Sequence, residues 1–177
     1  MRGNNEFVNL LCPENAQLRF FKSYKKMSNY IGCYYMGYIL EDTGNSARVG
    51  FTTNMDWGKE YLNNYISECH LWNQVQIFYE ESKSSSFILP WSTVPPVTAL
   101  QKDIILRREE LHIGSDGISF CKKLGGFREY YYFAPEIKQK KFLEYVSNNI
   151  DVIKPEINIF RKDSIEVIKK HTEKKVS

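Results

Sequence analysis

The sequence has little of what usually announces catalysis, metal binding or export. Only three histidines occur among 177 residues. None belongs to an HExxH, and none stands at finger spacing from a cysteine pair, which excludes the readily legible zinc centres. The four cysteines (Cys12, Cys33, Cys69 and Cys121) form no CxxC. They read as reduced thiols in a reducing cytosol rather than as a disulfide framework. There is no Gly-x-Ser-x-Gly elbow, no GxxxxGK phosphate loop and no GxGxxG. Ser-x-x-Lys appears twice, at Ser23–Lys26 and Ser119–Lys122. The first lacks the partner motifs of a serine nucleophile. The second falls on a predicted strand, where positions i and i+3 face opposite sides. Glu109 and Glu110 are adjacent and diverge around a helix. The expectation is a protein that is not an enzyme and that uses neither cofactor nor metal. No apolar run approaches the ~20 residues of a membrane helix, and the first residues lead into Glu6 without the apolar stretch of a secretory signal. A cytoplasmic protein is expected.

Charge is scarce in net terms. The balance of +3 is too mild to point to nucleic acid. The basic C-terminal segment (Arg161, Lys162, Lys169, Lys170, Lys174, Lys175) is broken by Asp163, Glu166 and Glu173, the pattern of a solvated helix face. What is plentiful is aromatic surface: twelve Tyr and eleven Phe, with three Trp. Such side chains fill a core, or line a cavity with flat faces and a few hydroxyls.

The chain length suits one domain, with residues 1–13 as an N-terminal extension, 14–172 as the domain and 173–177 as a frayed tail. Pro13-Glu14 opens a predicted helix to Tyr30, its stripe running through Leu18, Phe21, Tyr24 or Lys25, and Ser28, with Phe20, Met27 and Ile31 on the flanks. Cys33–Leu40 and Ala47–Thr53 read as strands around the Asp42–Asn45 turn. Thr53-Asn54 caps a helix on which Trp57, Tyr61, Leu62 and Tyr65 share a face. Residues 78–86 read as a polar loop, followed by a short apolar run at Phe87–Trp91. Val97–His112 reads as a helix with Leu100, Ile104, Leu106 or Arg107, and Leu111 on its apolar side. A second hairpin spans Ile118–Lys123 and Phe127–Ala134 around Gly125-Gly126. Helices from Pro135 to Ile150 (stripe Phe142, Tyr145, Val146, Ile150) and from Pro155 to His171 (Ile157, Phe160, Ile165, Ile168 inward) complete the chain. The order predicts an α/β (α+β) domain with a central antiparallel sheet flanked by helices. The long connection between the hairpins carries all three tryptophans.

Three segments together resemble the autoinducer-binding domain of LuxR-type quorum-sensing regulators. They are Trp57-Gly-Lys-Glu-Tyr61 after the first hairpin, Pro90-Trp91-Ser92 before the next helix, and Asp116-Gly-Ile-Ser-Phe120 leading into the Gly125-Gly126-Phe127 turn and the Tyr130–Ala134 strand. The resemblance covers residues 15–160. It implies an α-β-α sandwich with a PAS- or GAF-like antiparallel sheet, and a small signal molecule held between the sheet and the Trp-x-x-x-Tyr helix. It further implies that Trp57 and Tyr61 meet the ligand, that Trp91 walls the cavity, and that Ser119 presents a hydroxyl from the sheet. Tyr65 and Trp72 join them as candidate ligand contacts. Where the family carries Asp-Pro, this chain reads His70-Leu71-Trp72-Asn73-Gln74, so Asn73 is the acceptor on offer. A neutral acceptor is weaker than a charged one, which favours another small amphipathic ligand over an acyl-homoserine lactone. The resemblance also implies a homodimer, and binding to DNA only where a helix-turn-helix domain follows this sensor. The alternative expectation is a protein-interaction module or effector that keeps the fold with a filled core.

Overall fold

The two hairpins lie edge to edge in one sheet. In the computed structural model, which describes residues 8–10, 12–135 and 142–176, β2 (Cys33–Asp42) pairs antiparallel with β3 (Ala47–Thr52) on one side and with β6 (Phe127–Pro135) on the other. β5 (Ile118–Leu124) continues the sheet beside β6, and β4 (Ser86–Pro90) forms its edge. At the opposite edge β1 (Val8–Leu10) runs parallel to β3, giving the order β1-β3-β2-β6-β5-β4. The sheet is therefore mixed, a correction to the antiparallel expectation. Residues 8–10, assigned from sequence to an extension, lie on the open backbone edge of β3 and satisfy it, beginning with the Val8 N–H to the Ser46 carbonyl at 2.8 Å.

Both faces of the central strands are covered. Met36, Tyr38, Leu40, Tyr131 and Phe133 point into one core with α1 (Glu14–Ile31), α5 (Phe142–Asn148) and α6 (Ile150–Val176). Tyr35, Ile39, Tyr130 and Ala134 point into the other. That core is roofed by α2 (Met55–Glu60), α3 (His70–Glu81) and α4 (Ala99–Glu110). Alternation along each strand thus feeds two separate cores.

The helices differ in detail from their predicted patterns. The inward stripe of α1 is Ala16-Phe20-Ser23-Met27-Ile31, and Leu18 is exposed. The loop predicted at 78–86 is mostly regular structure. Val75, Phe78 and Tyr79 share a helical face and draw α3 out to Glu81, while Ser86 already begins β4. Gly32 at φ 60 ends α1. α6 takes in both the start of the predicted last helix and residues 173–176. Pro155 falls in its second turn, where it removes only one bond, to the Asp151 carbonyl. The predicted helix start after Pro135 lies outside the described residues. Among the described residues, no helix is long and apolar enough to cross a membrane.

Two fully buried carboxylates, Glu129 and Glu41, are paired with arginines. Glu129, fully buried on β6, accepts from Arg161 Nε and Nη2 at 2.7 Å each and from the Tyr38 hydroxyl at 2.8 Å. This fork ties α6 to the sheet. On the other face, Glu41 accepts from Arg48 Nε at 2.9 Å and from the Tyr130 hydroxyl. Removing one partner of a buried pair leaves an uncompensated charge. Arg161→Met is expected to cost ~3–5 kcal/mol of stability in urea titration. A cost under ~1 kcal/mol would mean that this fork does not hold the layer.

Candidate ligand-binding site

Between the sheet and the α2–α4 layer lies a cavity of about 180 Å³. The sheet contributes Tyr35, Gly37, Ile39, Gly50, Thr52 and Tyr132. The opposite wall is Trp57, Tyr61, Leu62, Cys69, Leu71 and Arg108, and Trp91 closes one end. Its exposed lining residues, Asn9, Met55, Lys59 and Asn63, mark the mouth. The walls are mostly apolar, the character of a small-molecule site. A cavity of roughly 150 Å³ with aliphatic and aromatic walls is large enough to admit benzene.

The two cavity tryptophans are held by close backbone approaches. The Asn54 side chain caps α2 by accepting from the Trp57 N–H at 3.0 Å. Gly58 lets this turn lie directly on β3, since a Cβ there would sit 2.3 Å from Thr52 Cγ2. After Glu60 the helix widens into one π-type turn, Tyr61–Tyr65, which carries Tyr61 and Leu62 over the cavity. Trp57 packs against Tyr61 at 5.2 Å and Tyr65 at 6.0 Å between ring centroids. Trp91 is fixed at three points. Its backbone N–H donates to the Gly117 carbonyl at 2.9 Å, its ring lies where a Gly117 Cβ would be 2.8 Å away, and its indole N–H donates to Ser119 Oγ at 2.8 Å.

Burial holds the tyrosines of the walls neutral and leaves one cation among them, while Lys59 stands at the exposed mouth. Burial pushes the Tyr35 hydroxyl up to about 12, with hydrogen bonding from Thr52 and Trp57 opposing. Tyr61 and Tyr132 are raised well above the ordinary tyrosine range, also by burial. The Tyr132 hydroxyl has no hydrogen-bond partner among the described residues, nor does Arg108 Nε. Arg108 is the charged group of this wall. Burial lowers its pKa from the usual arginine value, against the pull of Cys69, Tyr61 and Tyr35. Its guanidinium lies 4.7 Å from the Trp91 ring centroid. Gln17, also a lining residue, has its Oε1 buried without a partner, and three such residues around one cavity call for an explanation in function.

The seven residues singled out from sequence separate. Trp57, Tyr61 and Trp91 line the cavity. Tyr65 lies beside it, stacked on Trp57 and donating from its hydroxyl to Glu60 at 3.1 Å. Trp72 is a core residue instead, 4.4 Å from Tyr130 and beneath the Arg48 guanidinium. Asn73, the next residue on α3, is turned outward and exposed, so it is no acceptor for a guest. Ser119 is buried and spends its oxygen on Trp91, one step removed from the cavity. Arg108 was missed because a basic residue was assigned to the solvated side of its helix. Its spacing from Ile104 and Leu111 (i−4 and i+3) was the available signal. Leu100 and Leu106, expected on the apolar side, are exposed.

Among known proteins, no family model matches the chain, and no curated protein matches it.

Ser119→Ala removes the acceptor of a buried indole N–H while keeping the strand. It is expected to cost ~1–3 kcal/mol by chemical denaturation. An unchanged midpoint would mean that Trp91 is not anchored through Ser119.

Proposed function

We propose that this chain is a ligand-sensing domain of the LuxR type, which buries one small amphipathic molecule between its sheet and the α2–α4 layer. The observation that carries this reading is the cavity itself, walled by Trp57, Tyr61 and Trp91, the residues that the resemblance implicates. The α-β-α layering and the position of the Trp-x-x-x-Tyr helix over the sheet support it. A guest in this space adds contacts to bare aromatic walls and offers partners to Arg108 and Tyr132. Sensing then follows from linkage. A molecule that binds only the folded state stabilises it, by ~2.7 kcal/mol at a hundred times its dissociation constant. The bound form of α2 and α4 becomes the dominant one for whatever effector surface these helices serve.

The test uses the purified chain. Native mass spectrometry should detect a co-purified small molecule, and matched small acids and amides should be screened for a rise in melting temperature. A saturating guest is expected to raise it by roughly 5–10 °C, and Trp57→Ala should remove the rise. A bare chain, together with no shift from any compound in wild type, would favour the protein-interaction reading with a passive cavity.

A further inference from the structure

Arg108 stands apart from the other arginines that reach the interior. Arg48 forks onto the buried Glu41, and Arg161 forks onto the buried Glu129. On the outer face of α4, Arg107 meets Glu60 and Glu110 at 3.0 Å. Arg108 is only 4% exposed, yet no described residue accepts a hydrogen bond from it or forms an ion pair with it, and its Nε is buried without a partner. The acidic neighbour in sequence, Glu109, is exposed, and the cavity walls contain no carboxylate. A charge held this way is costly, and the Trp91 face repays only part of the cost. The side chain nevertheless points inward, into a cavity that has room for a guest.

The cavity supplies the rest of a recognition site. Ile39, Leu62, Trp57 and Trp91 give it an apolar body. The unpartnered Tyr132 hydroxyl adds a second donor on the sheet side. Arg108 is the one charged group in the buried walls, with Lys59 at the exposed mouth, so the interior balances a single negative charge and a monoanion fits it. The planar fork of guanidinium donors matches a carboxylate. We propose that the cavity takes a small monocarboxylic acid with an aryl or alkyl body, its carboxylate held by Arg108 and its body against the two cavity tryptophans. This specifies the ligand class of the sensor reading and rests on it. The resulting chemistry is opposite in sign to an anionic residue accepting a ligand's N–H.

The experiment compares matched probes: phenylacetate, 3-phenylpropanoate and octanoate, each against its primary amide, by calorimetry on wild type, Arg108→Met and Arg108→Gln. At least one acid should bind wild type about tenfold or more tighter than its amide. That preference should vanish in both variants. Without ligand, Arg108→Met should melt higher than wild type, by about 2 °C or more, because an unpaired buried cation has been replaced by an apolar chain of similar length. Amides that bind as tightly as acids would overturn the proposal and leave the sensor reading intact. A lower melting temperature for both unliganded variants would also overturn it, by making Arg108 a structural group. No binding by any probe, with a bare chain in native mass spectrometry, would overturn both.

Discussion

The central strands β2 and β6 are covered on both faces, and most of the structure follows from that constraint. Alternate side chains on them enter one of two cores, so each buried polar group needs a partner there. On the α1/α6 face Glu129 holds Arg161 and Tyr38 in one cluster, while Ser164 Oγ on α6 is buried without a partner. At one end of the opposite face, Glu41, Arg48 and Tyr130 form another. Between that cluster and Trp91 the packing changes character. The side chains there are large, flat and stiff, and some of the facing positions, Gly37 and Gly50, have none. Rings of this kind do not close a gap by small rearrangements as methylene chains do. The cavity is where rigid aromatics meet a floor of glycine, isoleucine and tyrosine.

Much of this was legible in the sequence, for local reasons. The hairpins announced themselves through turn residues and runs of β-branched and aromatic side chains. Asn54 marked the start of α2, and the i, i+4 spacing of Trp57 and Tyr61 placed both on its inner face. β1 was not legible, because three residues carry no period and only the open edge of β3 gives them a role. The end of α3 was hidden by Glu80, Glu81 and Ser82, whose polarity outweighed the helical spacing of Val75, Phe78 and Tyr79. Periodicity also says that a ring faces inward without saying what it meets. Trp72 does face inward, but onto Tyr130. Asn73, one position and 100° further round α3, has to face water. Arg108 was obscured by its chemistry, since charge is normally evidence of exposure.

Among the described residues, seven buried polar side-chain atoms have no hydrogen-bond partner. Three of them, on Gln17, Arg108 and Tyr132, belong to residues that line the same cavity. Natural folds tolerate such departures mainly where function uses them. In the proposed sensing role this arrangement is an advantage. Its unliganded state carries bare aromatic surface and an unneutralised cation, so the free energy released by a fitting guest is large relative to the guest's size. Discrimination comes from the same source, since a neutral mimic leaves the guanidinium without a counter-charge.

The three tryptophans provide an internal control for the central claim, because two of them line the cavity and the third is packed elsewhere. Fluorine NMR of protein labelled with 5-fluorotryptophan, titrated with 3-phenylpropanoate, reads each indole separately. The Trp57 and Trp91 resonances are expected to move together and saturate while Trp72 stays in place. Equal movement of all three, or movement of Trp72 alone, would contradict binding in this cavity.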